Sequence, residues 1–292
     1  MGLQVHVQPA GSNIQIARTE HALWRRRLPG WLVEAWLRGW AILVYIFLYA
    51  PIAVVVLYSF NDSRRVTYWG GFTTKWYYAA WTSPDVTGSL QISLTAALLN
   101  AALAVTLGTL AALGMRSAPR WLRIGFEGLV YMTIITPEIV IAIASLLYFV
   151  SLNVNLGLPT IVVTHAVYNT SIVTLVVATR LAGMDRTLEE ASADLGATPF
   201  GTFWQVTLPQ LYPAILAGAL LAFTFSFDDF ILSFFVSGVG STTLPLNVFA
   251  RLRFGVSPII NAVAATMLSL TLTAIIVAQL VLRKGARTAP AK

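Results

Sequence analysis

The sequence predicts an all-α membrane protein with six transmembrane helices, and three observations carry that prediction. Hydrophobic residues make up 57% of the 292 and charged residues only 11%, against about 45–50% and about 25% in soluble domains. The mean hydropathy is +0.73. Six stretches each reach the roughly 20 apolar residues that a helix needs to cross about 30 Å of hydrocarbon. A soluble domain of roughly this length still exposes about a quarter of its chain's surface, so this much apolar area needs lipid around it. Lipid offers no hydrogen-bond partners, which makes each span a helix; the ten-residue alternating strands of a barrel are absent.

In chain order, residues 1–37 read as a cytoplasmic tail. Within it Leu28, Trp31, Leu32, Ala35 and Trp36 recur at helical spacing, which fits either a short amphipathic helix at the interface or an extension of the first span. A membrane domain follows over 38–284. Its spans are expected at Trp40–Phe60, Ser89–Met115, Ile124–Val150, Pro159–Leu181, Leu211–Ser237 and Pro258–Leu282, with a cytoplasmic loop over 182–210 and a short tail over 285–292. No apolar run with a small-residue cleavage site precedes the first span.

Charge orients the spans. Of 19 Lys and Arg, 14 fall in the amino-terminal segment, the second-to-third and fourth-to-fifth connections and the tail, including Arg25, Arg26, Arg27, Arg116, Arg123, Arg186 and Lys284. The positive-inside rule then places both termini in the cytoplasm. All nine tryptophans lie in flanks or loops, as an interfacial belt requires. The formal charge of +7 is therefore a topological mark, not a nucleic-acid footprint. With no cysteine, thiolate metal sites and cysteine nucleophiles are excluded.

The fourth-to-fifth connection stands apart. It places Asp185, Glu189, Glu190 and Asp194, four of the twelve acids, within ten residues. Thr187 with Glu190 fits a capping box opening a helix, Gly196 a helix stop, and Thr198-Pro199 a fresh start. A second short helix, Phe200–Val206, is expected to end at Leu208-Pro209. Glu190-Ala191-Ser192, three residues, Gly196, nine residues, then Val206-Thr207-Leu208-Pro209 resembles the EAA signature of permease subunits in ATP-binding-cassette (ABC) importers, with every gap matching and Ser192 and Val206 as small departures. Tyr49-Ala50-Pro51, Tyr58-Ser59-Phe60-Asn61, the Phe-Ser-Phe-Asp-Asp-Phe run from Phe225 and Thr242-Thr243-Leu244-Pro245 are similar to the spermidine and putrescine permeases within that family.

The resemblance implies a type I importer permease fold in a bacterial inner membrane, forming half of a path for a polyamine. It implies as partners a second permease, two ATPase subunits and an extracytoplasmic binding protein, with ATP and Mg on the ATPases and no cofactor here. Glu190, Ala191, Ser192, Gly196, Val206, Leu208 and Pro209 would then dock the ATPase. The chain's own residues agree that it hydrolyses no ATP, since no Gly-Lys pair of a phosphate loop occurs. Iron, an opine or another organic cation is the alternative cargo; a gradient-driven transporter is the alternative class, although no inverted repeat is evident.

Ionisable groups inside spans mark function by default. Asp229 falls on a helical stripe with Ser226, Ser233 and Ser237 that suits a wet path, whereas Asp228, about 100° away, suits a contact between helices or with a partner subunit. Glu138 follows Pro137, whose ring kinks a helix, and suits either the path or a bond across helices. Phe227 and its neighbours Phe223, Phe225 and Phe230 offer cation–π faces or simply pack. His165, with Tyr168 and Asn169 a turn on, reads as an interhelical hydrogen-bond cluster. With no His-Glu-x-x-His, a zinc protease is excluded.

Overall fold

A computed structural model describes residues 30–63, 68–253, 255 and 257–287. The chain divides into two compact units, residues 1–54 and 55–292. In the first, the described chain is the helix α1, Gly30–Tyr58, which runs on into the second unit. Beyond an exposed Glu34–Arg38 ion pair in its first turns it is apolar on every face, and Trp36 and Trp40 meet edge to face at 5.8 Å. The helix is unbroken from Gly30 into the first span; Leu28 lies outside the described residues.

The second unit holds α2 (Lys75–Thr82), α3 (Pro84–Ser117), α4 (Arg120–Ile135), α5 (Glu138–Ser151), α6 (Leu158–Ala182), α7 (Thr187–Asp194), α8 (Pro199–Asp228), α9 (Ile231–Val236), α10 (Leu244–Leu252) and α11 (Pro258–Arg287). Among the described residues the only β feature is a single bridge between Asn61 and Phe72. Four helices (Val33–Tyr58 within α1, with α3, α6 and α8) are long and apolar enough to span a membrane, and a fifth span results if α4 and α5 are taken as one. Those two meet at 105° across Thr136-Pro137, because the proline can neither donate to the preceding turn nor fit against its carbonyl. The helix α11 carries a further apolar stretch, Pro258–Thr273, among the described residues.

The core is the triangle α3–α6–α8, built on small residues. A Cβ added to Gly108 of α3 would lie 2.7 Å from Val173 Cβ, and one on Gly218 of α8 would lie 3.2 Å from Val173 Cγ1. Val173 of α6 is therefore wedged between two glycines, the small-residue packing that lets membrane helices approach closely. Ala104, Ala112, Val177, Leu181, Leu211 and Ala222 complete this layer. Asn100 locks the same three helices, donating to the Ala222 carbonyl at 2.8 Å and accepting from Asn169 at 3.3 Å.

Two departures from expectation concern α8. The second loop helix does not stop at Leu208-Pro209: residues 199–228 form one helix, continuous through a π turn at Phe203–Thr207. In that wide turn the Leu208 N–H bonds back to the Phe203 carbonyl, which makes room for the Pro209 ring where an ordinary α turn would clash. At the far end the expected span Leu211–Ser237 breaks. Asp229 is extended (φ −65°, ψ 130°) and α9 begins anew at Ile231.

Candidate functional site

Two clusters of polar side chains lie at the two ends of α8. The first builds the loop. Asp185 accepts from the Thr187 N–H at 3.0 Å and opens α7; the expected Thr187–Glu190 box is not used, and no side chain caps the helix from position 186. The helix closes at Gly196 (φ +84°), where Gly196 N–H reaches the Ala193 carbonyl at 2.9 Å and Ala197 N–H the Ser192 carbonyl at 3.1 Å. That paired closure is a Schellman motif, whose left-handed residue favours glycine. Thr198 then caps α8, accepting from Gly201 N–H at 3.1 Å, and Ser192 and Thr202 hydroxyls meet at 2.9 Å across the turn.

The residue that anchors this loop is Glu189. Its carboxylate takes both terminal nitrogens of Arg116, at 2.8 and 2.6 Å, and the Thr207 hydroxyl at 2.8 Å. One side chain thus ties α7 to the end of α3 and to the π turn of α8. The Arg116 hydrogen bonds hold the Glu189 carboxyl below its ordinary value, with the Thr207 hydroxyl and the charges of Arg116 and Arg186 acting in the same direction against partial burial. Arg116 is 73 residues away in sequence, so no local pattern pointed to the pair. Glu190 and Ala191 are exposed, and Glu190 makes no side-chain hydrogen bond among the described residues. Val206 and Leu208 are half-buried in α8, and Pro209 is exposed. Leu195 and Phe200, exposed at 90% and 73%, stand out of this framework with Trp204, whose ring meets Phe200 at 6.1 Å.

The second cluster sits at the break in α8. Asp229 Oδ1 and Oδ2 accept from the N–H groups of Leu232 and Ser233 at 3.2 and 2.8 Å, closing the first turn of α9. Its Oδ2 is also 3.1 Å from His165 Nε2 on α6. His165 Nδ1 meets the Ser226 hydroxyl at 2.7 Å, and Ser233 Oγ lies 3.3 Å from Nε2. Ser226, Asp229 and Ser233 therefore do come together, but around an imidazole and not along one helical stripe. Asp229, expected to face a wet path, is only 8% exposed, and Phe227 is buried at 2%. Asp228 is exposed and takes the Thr271 hydroxyl of α11 at 3.4 Å. Glu138, half-buried at the first position of α5, lies near the Asp229 carboxyl. The expected hydrogen-bond cluster at His165 is present, with a different membership: Asn169 turns to Asn100, and Tyr168 lies near Glu138.

Comparison with known proteins places this architecture. Residues 104–285 match the family described as "Binding-protein-dependent transport system inner membrane component". The chain is 41% identical over 234 residues to the putrescine transport system permease protein PotI of Escherichia coli, covering 78% of this chain and 83% of that one. It is 36% identical over 245 residues to the spermidine/putrescine transport system permease protein PotC of the same organism, covering 84% and 93%. Among solved structures, a chain of a bacterial ABC transporter that imports the acidic polysaccharide alginate superposes with a TM-score of 0.69 at 15% identity, over 92% of this chain and all of that one. A chain of the MetNI methionine ABC transporter in an inward-facing conformation gives 0.57 at 17% identity, over 69% and 94%.

Proposed function

The chain belongs to the family of binding-protein-dependent transport system inner membrane components, and from that premise we propose that it is one of two permease subunits of an ABC importer for a putrescine- or spermidine-like polyamine. The polyamine reading rests on its likeness to PotI and PotC. In this reading both termini are cytoplasmic, the partners are a second permease, two ATPases carrying ATP and Mg, and an extracytoplasmic binding protein, and this chain performs no chemistry of its own.

The observation that carries the coupling role is the loop over 182–210. It has a rigid frame of capped helices, yet it exposes Leu195 and Phe200, apolar side chains that are costly to leave in water and that mark a contact surface. Glu190, Ala191 and Gly196 lie on the exposed side of the same element, available to an ATPase cleft. Closure of the ATPases would push on α7 and the start of α8. Because α8 is one helix of 30 residues, about 45 Å at 1.5 Å per residue, the push is carried as a rigid body to Asp228 and the break behind it.

For the path itself the geometry favours the carboxylates that the chain's own packing leaves accessible. Asp228 and Glu138 would face a cationic cargo, while Asp229, Ser226, Ser233 and Phe227 would hold the wall behind them through His165. A polyamine loses water on entering the membrane, and carboxylates and hydroxyls replace it.

Reconstituted importer, supplied with its binding protein, tests the proposal through uptake of labelled putrescine or spermidine. Uptake should vanish when the partner ATPase is disabled. Gly196→Val should lower it at least tenfold while Gly196→Asn retains most of it: nothing lies within 4 Å of an added Cβ, so the obstacle is the positive φ, which asparagine tolerates and a β-branched residue does not. Uptake that persists without ATP hydrolysis would overturn the importer reading. Equal uptake by Val and Asn variants would overturn the docking role.

A further inference from the structure

A cavity of about 380 Å³ opens among the ends of α3, α4 and α6 and the start of α7. It is graded in polarity. One end is lined by Arg116, Arg123, Glu127 and Arg186; along α4, about 10–12 Å beyond Arg123 at 1.5 Å per residue, the lining becomes Val130 and Tyr131, with Leu175 and Ala178 of α6. Three guanidiniums meet one carboxylate in the lining, and they are not all saturated. Arg116 spends both terminal nitrogens on Glu189. Arg123 bonds Glu127 through Nε at 2.8 Å, which leaves its two terminal nitrogens to donate. Arg186 makes no side-chain hydrogen bond among the described residues and adds its charge beside Glu189. Thr174 and Thr179, also in the lining, turn their hydroxyl protons back to their own helix at 2.7 and 2.8 Å, so Tyr131 is the hydroxyl donor left for a guest.

We infer that this cavity binds the phosphate of an anionic phospholipid, with the headgroup held by Arg123 and Arg186 and the glycerol and first methylenes lying along Val130, Leu175 and Ala178. A phosphate-bearing anion satisfies planar guanidinium donors in pairs. Free phosphate would use only the charged end; an amphipathic lipid uses both, and basic pockets between membrane helices on the cytoplasmic side are where such headgroups lodge. The inference rests on the orientation proposed above. Because Arg116 and Arg186 also border Glu189, a bound lipid would brace the loop frame from its membrane side.

The test is thermal unfolding of the full chain in its assembled complex, in neutral detergent, with added phosphatidylglycerol, phosphatidylcholine or inorganic phosphate. A ligand of the folded state raises the midpoint by mass action. Phosphatidylglycerol should raise it by about 3 °C or more, while phosphatidylcholine and phosphate leave it in place. Arg123→Gln with Arg186→Gln should abolish that rise; if the double variant does not assemble, Tyr131→Phe should reduce it instead, and native mass spectrometry of the wild-type complex should retain the phosphatidylglycerol mass. Equal rises in wild type and variants, or none with phosphatidylglycerol, would overturn the site. A rise with inorganic phosphate alone would overturn the lipid as its occupant. Loss of the ATPases from the double variant with the lipid effect intact would overturn it too and give the arginines to the docking surface. Transport is not read, so failure here leaves the importer proposal standing.

Discussion

The two ends of α8 are built from the same parts, a carboxylate, a nitrogen cation or imidazole and a hydroxyl, but in different surroundings. At the loop end, the Arg116 and Glu189 side chains are 22% and 21% exposed, and the carboxylate is matched by a full guanidinium. At the membrane end, the side chains of His165 and Asp229 are 1% and 4% exposed, and the carboxylate is satisfied mostly by backbone N–H groups and an imidazole. Water explains the difference. Where it reaches, a pair can open and re-form at little cost, because solvent takes over each charge. Where it does not, a charge stripped of partners is very costly, so each must be fixed in place. The loop end is built as a joint and the membrane end as an anchor.

The largest effect should come from attacking the anchor. Asp229→Ala leaves His165 and the Leu232 and Ser233 N–H groups without an acceptor, and removing one partner of a buried pair costs about 3–5 kcal/mol; the complex should assemble poorly and melt far below wild type in detergent. Asp229→Asn keeps an acceptor and should lose less. If the alanine variant melts like wild type, the site is no anchor. Next comes the wedge between the two ends. Gly108→Ala forces a methyl to 2.7 Å from Val173 and should destabilise by about 1–3 kcal/mol, whereas Gly218→Ala, at 3.2 Å, should cost clearly less.

The joint should behave in the opposite way. Glu189→Ala should cost only about 1 kcal/mol of stability yet cut coupled uptake severalfold, and a double-mutant cycle with Arg116→Ala should show the two losses to be shared, not additive. Equal stability losses at Glu189 and Asp229 would erase the distinction. The smallest effect is that of pH. Glu189 sits below its ordinary value in the folded protein, so its contribution is complete above about pH 5, near the unfolded value. It is lost only as pH falls through the lower folded value. Uptake should therefore be insensitive to this pair from about pH 5 upward, and acid opening should vanish in Glu189→Gln.

The loop was legible in sequence because its signals are local: Gly196 needs its left-handed backbone, Thr198-Pro199 its cap, and the spacing from Glu190 to Pro209 is a fixed register. The helical character of the expected spans follows equally from apolar runs. What escaped were features decided by partners far along the chain. Glu189 looked like a neighbour of Glu190 until Arg116, from the end of another helix, selected it. The break at Asp229 escaped for a different reason. No glycine or proline interrupts 219–237, and a serine every few residues mimics a continuous polar stripe; yet aspartate is a strong cap for a new helix, and that reading competes on equal terms until His165 supplies its other partner. The continuity of α8 through Pro209 was hidden because a proline ordinarily ends a helix, and only a widened turn lets it pass.

That widened turn also sets the phase of the shaft it interrupts. It holds one residue more than an α turn, so deleting one from Phe203–Thr207, for instance the exposed Gln205, would restore an α turn with little rotation and press the Pro209 ring against a carbonyl. Deleting Gln210 from the α turns that follow would instead rotate everything before it by roughly 100° about the axis of α8. The membrane half, with Val173 against Gly218 and His165 against Ser226, would keep those contacts. The outer half would aim Leu195 and Phe200 in a new direction and carry Glu189 away from Arg116. A single deletion thus separates a permease that folds from one whose handle faces the wrong way.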